Sequence, residues 1–134
     1  MISKSIYIDR YRWRLRLFVA VTMYDVDSIV NRVQAAGADG DLVLRVRNNL
    51  MRGKMDTGFT YSNRRTRESV MVIGKTSSAR EEMNSISHEI RHLVDDIAST
   101  DGLGMRGEEV AYLTGDISAS VFDVAKNLLC CRCH

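Results

Sequence analysis

Apolar and polar residues alternate along residues 6–22. Tyr7, Tyr11, Trp13, Leu15, Leu17, Val19 and Val21 fall on one side, and Arg10, Arg12, Arg14 and Arg16 fall on the other. A period of two over this length predicts one half-buried strand with an arginine row towards water. The pattern then changes to a helical one. Asp25 or Asp27 can cap a short helix carrying Val26, Ile29, Val30 and Val33, which Gly37 ends. Residues 42–51 fit either period, because Leu42, Val46 and Leu50 suit a helix while Leu42, Leu44 and Val46 suit a strand; we read a helix. Residues 57–63 and 68–74 read as two strands joined through Asn63-Arg64-Arg65-Thr66-Arg67, a hairpin. Ser77 or Ser78 can cap a helix over 78–98 whose apolar stripe is Met83, Ile86, Ile90, Leu93, Val94 and Ile97. A glycine-rich loop over 101–107 leads to a last helix over 108–129, with Val110, Leu113, Ile117, Val121, Val124 and Leu128 as its buried stripe. The whole is an α+β pattern without repeats or an internal linker.

Composition narrows the setting. The 134 residues are 45% hydrophobic and 27% charged, one domain's worth of chain with enough apolar side chains for a core and too many for a disordered segment. Nineteen Lys and Arg against seventeen Asp and Glu leave a net charge of +2, too near neutrality to imply a polyanionic partner by itself. The arginines at 10–16 and 64–67 are read as solvated strand and turn residues, so nucleic acid is not expected. All three cysteines lie in the last five residues, which is no disulfide framework and suggests a reducing compartment. No stretch approaches the ~20 apolar residues of a membrane helix. Leu17-Phe18-Val19-Ala20-Val21 is too short for a signal peptide core, so the expected location is the cytoplasm and no membrane partner is expected.

One constellation carries chemistry. The helix at 78–98 contains His88-Glu89-Ile90-Arg91-His92. A spacing of four stacks two imidazoles one turn apart on one face, where they can share a tetrahedral metal ion, with Zn2+ the expected cofactor. Glu89 follows directly, where a carboxylate can take a proton from a water on that metal. By helical phase the apolar stripe centres nearly opposite the arc holding His88, Glu89 and His92. Catalytic zinc takes a third protein donor. On the last helix Glu108, Ala111, Tyr112, Gly115 and Ala119 share the side opposite the buried stripe, and their small members would let two helices approach closely. Glu108 heads that face and is the expected third ligand, with Glu109 as the alternative; either can equally be an acidic first turn favoured by the helix dipole. The tail Cys130-Cys131-Arg132-Cys133-His134 has the residue types of a metal site, but no second cysteine pair exists to complete it. The loop at 102–107 lacks the Lys-Ser/Thr of a phosphate loop.

The H-E-x-x-H sequence followed by a glutamate at the start of the next helix resembles the gluzincins, the thermolysin-type zinc metallopeptidases. The likeness covers about residues 70–120 and includes the strand leading into the helix, the Glu-x-x-Ala at 108–111, and Asp96 eight residues after His88. In size and in the Glu-Glu-x-Ala-Tyr-Leu-x-Gly stretch the chain is most similar to small single-domain zincin-like proteins of phages and mobile elements. The resemblance implies a single minimal zincin-like domain over 1–134, with a small, mostly antiparallel sheet packed on the active-site helix and a C-terminal helix. It implies a zinc metalloendopeptidase acting on a protein or peptide, with zinc on His88, His92 and Glu108, Glu89 as general base, and Tyr112 or Tyr61 as oxyanion donor. Asp96 would support the metal shell. An extended peptide would add to the open strand at 57–63. The departures are the short gap from His92 to Glu108 and no following helical domain to deepen a cleft. A non-catalytic, zinc-stabilised module binding protein or nucleic acid is the other class these residues allow.

Overall fold

The structure, a computed structural model, describes residues 1–52 and 58–130. Four strands form one sheet: β1 (Ile2–Ile8), β2 (Trp13–Val21), β3 (Phe59–Asn63) and β4 (Glu68–Gly74), in the order β1-β2-β4-β3. The two outer ladders are antiparallel, and the central β2–β4 ladder is parallel. The helices are α1 (Val26–Ala35), α2 (Gly40–Met51), α3 (Ala79–Asp101) and α4 (Glu108–Ala125). The result is a small α+β fold with helices on both faces of a mixed sheet. No helix among the described residues is long and apolar enough to cross a membrane.

Strand alternation sorts the core into two. Trp13, Leu15, Leu17 and Val19 from β2, with Met71 and Ile73 from β4, pack under α3 and α4. Phe18, Val21, Val70 and Val72 point the other way, against Val26, Ile29, Val30 and Val33 of α1 and Val46 and Leu50 of α2. Within the first layer α3 lies over β4 and β3, and α4 over β1 and β2. Complete burial of large side chains such as Trp13, Leu17 and Ile97 contributes roughly 1.5–3 kcal/mol each.

The single strand expected over 6–22 is instead a hairpin. A 3₁₀ turn at Asp9–Tyr11 ends at Arg12, whose left-handed backbone (φ 50°) reverses the chain and whose N–H bonds the Asp9 carbonyl at 3.2 Å. Alternation persists on both sides of the turn, so the period could not reveal the reversal. It moves Tyr7 to the arginine face, opposite Arg14 and 54% exposed, while Ile6 and Ile8 pack against the core. The helix over 42–51 and the 63–67 hairpin turn form as expected, and α1 buries all four predicted residues. Met83 is exposed rather than buried.

Caps set the limits of α3. The Ser78 hydroxyl accepts the Glu81 N–H at 3.1 Å, and Gly102, left-handed at φ 67°, ends the helix as Leu103 N–H reaches back to the Ala98 carbonyl at 2.8 Å. The three residues beyond the expected end, Ser99, Thr100 and Asp101, are polar and carried no periodic signal. At the start of β3, Gly58 holds φ 93°, and a Cβ there would stand 1.8 Å from the Val72 carbonyl oxygen. Only glycine lets this edge strand begin so close to β4.

Candidate metal centre

α3 presents its two histidines to solvent and its glutamate to the interior. The His88 and His92 Nε2 atoms converge to 3.2 Å, with ring centroids 4.8 Å apart and planes at 71°. In that contact the Nε2–H of one ring is donated to the Nε2 of the other, the tautomers deciding which ring donates. Two nitrogens bound to tetrahedral zinc at about 2.0–2.1 Å stand about 3.3 Å apart. The Nε2 separation therefore matches that between two vertices of such a site.

Glu89 does not share the exposed arc expected from helical phase. It lies on the flank of the buried stripe, with its side chain 2% exposed against 51% for His88. A position 100° from His88 turns inwards as soon as the helix settles on the sheet with Ser85, Ile86 and Ile90 downwards. Its Oε1 accepts the Thr60 hydroxyl at 2.8 Å, and its Oε2 stands 4.0 Å from His88 Nε2. Burial pushes the Glu89 carboxyl above its ordinary value, and the Thr60 hydrogen bond and the two histidines partly oppose this.

Thr60 and Ser62 are the site residues that sequence reasoning passed over. Alternation along Phe59-Thr60-Tyr61-Ser62 carried the signal, since it puts both hydroxyls on the face towards α3. Ser62 continues a directed chain: the Trp13 indole N–H donates to Ser69 Oγ at 2.8 Å, Ser69 to Ser62 at 2.6 Å, and Ser62 to Asp96 Oδ2 at 2.6 Å. Because Ser62 spends its proton on the carboxylate and Ser69 receives the indole proton, every hydroxyl direction is set. Asp96 also faces Arg64 at 4.0 Å, so its carboxylate turns to β3 and the hairpin turn.

The other expected residues are placed elsewhere. Among the described residues no group of three or more His, Cys, Asp or Glu side chains is arranged to hold a metal ion, so Glu108 does not join the histidine pair here. The reason for expecting it also changes: Ala111, Gly115 and Ala119 face solvent, and nothing lies within 4 Å of a Cβ built on Gly115. That face is not a helix–helix contact. Glu109 is exposed as well, and Tyr112 is 64% exposed on α4. Tyr61 belongs to the opposite face of the sheet, beside α2, which removes it from the oxyanion role. The open strand expected over 57–63 is β3, which among the described residues is an edge strand paired with β4 alone, and residue 57 lies outside the described residues. Of the tail, Cys130 is exposed, and residues 131–134 lie outside the described residues.

Fold and site together define a class: an α+β protein with a histidine pair and a buried carboxylate on one helix, beside an antiparallel edge strand. No family model matches the chain, and no curated protein or solved structure does so either.

Proposed function

We propose that the protein is a zinc-dependent metallopeptidase of minimal gluzincin-like fold, in which His88 and His92 hold the ion and Glu89 is the general base. The convergence of the two Nε2 atoms at 3.2 Å beside a buried carboxylate carries this reading. A site of purely structural purpose has no use for that carboxylate, whose burial costs free energy. Glu108 enters as the third donor on the resemblance alone. When bound, the ion supplies a Lewis acid that lowers the pKa of water at its open position and polarises the scissile carbonyl.

The chain's own residues do the rest. Thr60 holds one oxygen of Glu89, which leaves Oε2 directed to the histidine side. From there Glu89 takes the proton of the attacking water and passes it to the leaving amine nitrogen. Its raised pKa makes it a stronger base at neutral pH than an exposed glutamate. β3 offers a free strand edge beside the site, along which an extended peptide can add. A single strand edge beside the site gains little binding energy from generic peptides, so the activity is narrow and the substrate is one protein rather than many. The experiment compares cells expressing wild type and Glu89→Gln for new protein termini, with zinc measured in both purified proteins. New termini only with wild type, and about one zinc in each, support the peptidase. Identical termini with zinc in both replace it by a zinc-stabilised binding module, and no zinc in either removes both.

A further inference from the structure

Because β2 and β4 are parallel and each is flanked by an antiparallel neighbour, the turns β1–β2 and β3–β4 sit at the same end of the sheet. They are tied together. Arg14 N–H donates to the Arg67 carbonyl at 3.0 Å, the Arg67 guanidinium donates to the Tyr11 carbonyl at 3.1 Å, and it lies over the Trp13 ring at 5.2 Å. Two arginine groups far apart in sequence thereby come to the same end of the sheet: Arg10, Arg12, Arg14 and Arg16 beside Arg64, Arg65 and Arg67, with Arg64 and Arg67 turned to the α3 side and Arg14 and Arg16 on the other face. Arg64 and Arg67 pair with Asp96 and Asp101. The other five have no ion pair among the described residues.

The overall +2 conceals a strong separation of charge. Residues 1–75 hold fourteen Lys and Arg against seven Asp and Glu, net +7, whereas residues 76–134 hold five against ten, net −5. The arginine end of the sheet also has an open face. Register pairs Tyr7 with Arg14 and Ser5 with Arg16, so an exposed aromatic and two guanidiniums share one surface, bounded by Glu68 opposite Arg14 on β4. Tyr7, Ser5 and Arg14 are exposed there, and Arg16 Nε is buried without a hydrogen-bond partner.

We propose that this face binds single-stranded nucleic acid, with phosphates on Arg14, Arg16 and the turn residue Arg65 and a base stacked on Tyr7. The guanidiniums call for a polyanion, and the exposed ring among them favours a ligand with π-faces over an acidic peptide. This inference is independent of the metal site. The test is fluorescence anisotropy of a labelled thymidine oligonucleotide of about 15 nucleotides at rising salt. Binding should weaken log-linearly with salt, and Arg65→Gln should lower the slope by about one. Arg14→Gln/Arg16→Gln should weaken binding tenfold or more, and Tyr7→Ala roughly tenfold, with circular dichroism as the folding control. Arg80→Gln, at the start of α3, should change nothing. Absence of binding at about 50 mM salt overturns the proposal. So does insensitivity to Tyr7→Ala and Arg65→Gln, equal competition by polyglutamate, or salt-sensitive self-association of the chain in place of oligonucleotide binding.

Discussion

The two edges of the sheet are built alike and used differently. β1 and β3 each pair with one neighbour and each lie beneath a helix of the same layer. Under α4, β1 turns Ile6 and Ile8 inwards to meet an apolar flank that includes Leu113 and Ile117. Under α3, β3 turns Thr60 and Ser62 inwards to meet the carboxylates of Glu89 and Asp96. An apolar edge needs only contact, whereas a buried carboxylate such as Glu89, or a half-buried one such as Asp96, needs a donor placed within about 3 Å. The β3 edge is therefore the one held by placed hydrogen bonds, and its geometry is the more easily broken.

The largest expected effect breaks the β3 side outright. His88→Ala or His92→Ala should lower zinc affinity by about a hundredfold or more, since even outer partners of metal ligands are worth 10–100-fold. Titration of apoprotein with zinc against a competing chelator measures it. On the same assay Glu108→Ala and Glu109→Ala decide the third donor: a loss for Glu108→Ala alone supports Glu108, and a loss for neither leaves the two histidines as the protein's share.

Next comes the seating of the strand. Gly58→Ala would push a methyl group into the Val72 carbonyl at a left-handed backbone position, and should cost about 2–3 kcal/mol in urea denaturation. Within the hydrogen-bonded chain, Ser69→Ala leaves the buried Trp13 N–H without its acceptor and should cost about 1–3 kcal/mol. Ser5→Ala, on the exposed face of the other edge, should stay within about 0.5 kcal/mol. Equal costs for the two serines would abolish the contrast between the edges.

The smallest effect is a pH dependence. The folded-state pKa of Glu89 lies above its ordinary value of 4.5, so the native state holds that proton more tightly than the unfolded chain. Stability from this group is then complete below 4.5 and is lost as pH rises through the raised value. Glu89→Gln should match wild type in thermal stability near pH 4 and exceed it at pH 7. The reverse order would show that Thr60 and the histidines outweigh burial.

Local pattern was sufficient for much of this protein. Periods of 3.6 and two, with Ser78 and Gly37 as punctuation, located α1 to α4 and the β3–β4 hairpin, because neighbours along the chain decide which face of an element is apolar. The same locality placed His88 and His92 together, since a spacing of four suffices to stack two rings. Tertiary structure alone decided the β1–β2 reversal, which depends on the backbone of Arg12 and leaves no mark on alternation. It alone turned Glu89 inwards to Thr60, because a residue at the border of a helical stripe is buried or exposed according to what packs beside it. It turned Ala111 and Gly115 to solvent for the same reason: a small residue permits close approach but cannot cause it. And it joined residues 10–16 to 64–67, a contact set by the parallel pairing of β2 with β4, which no short-range pattern encodes.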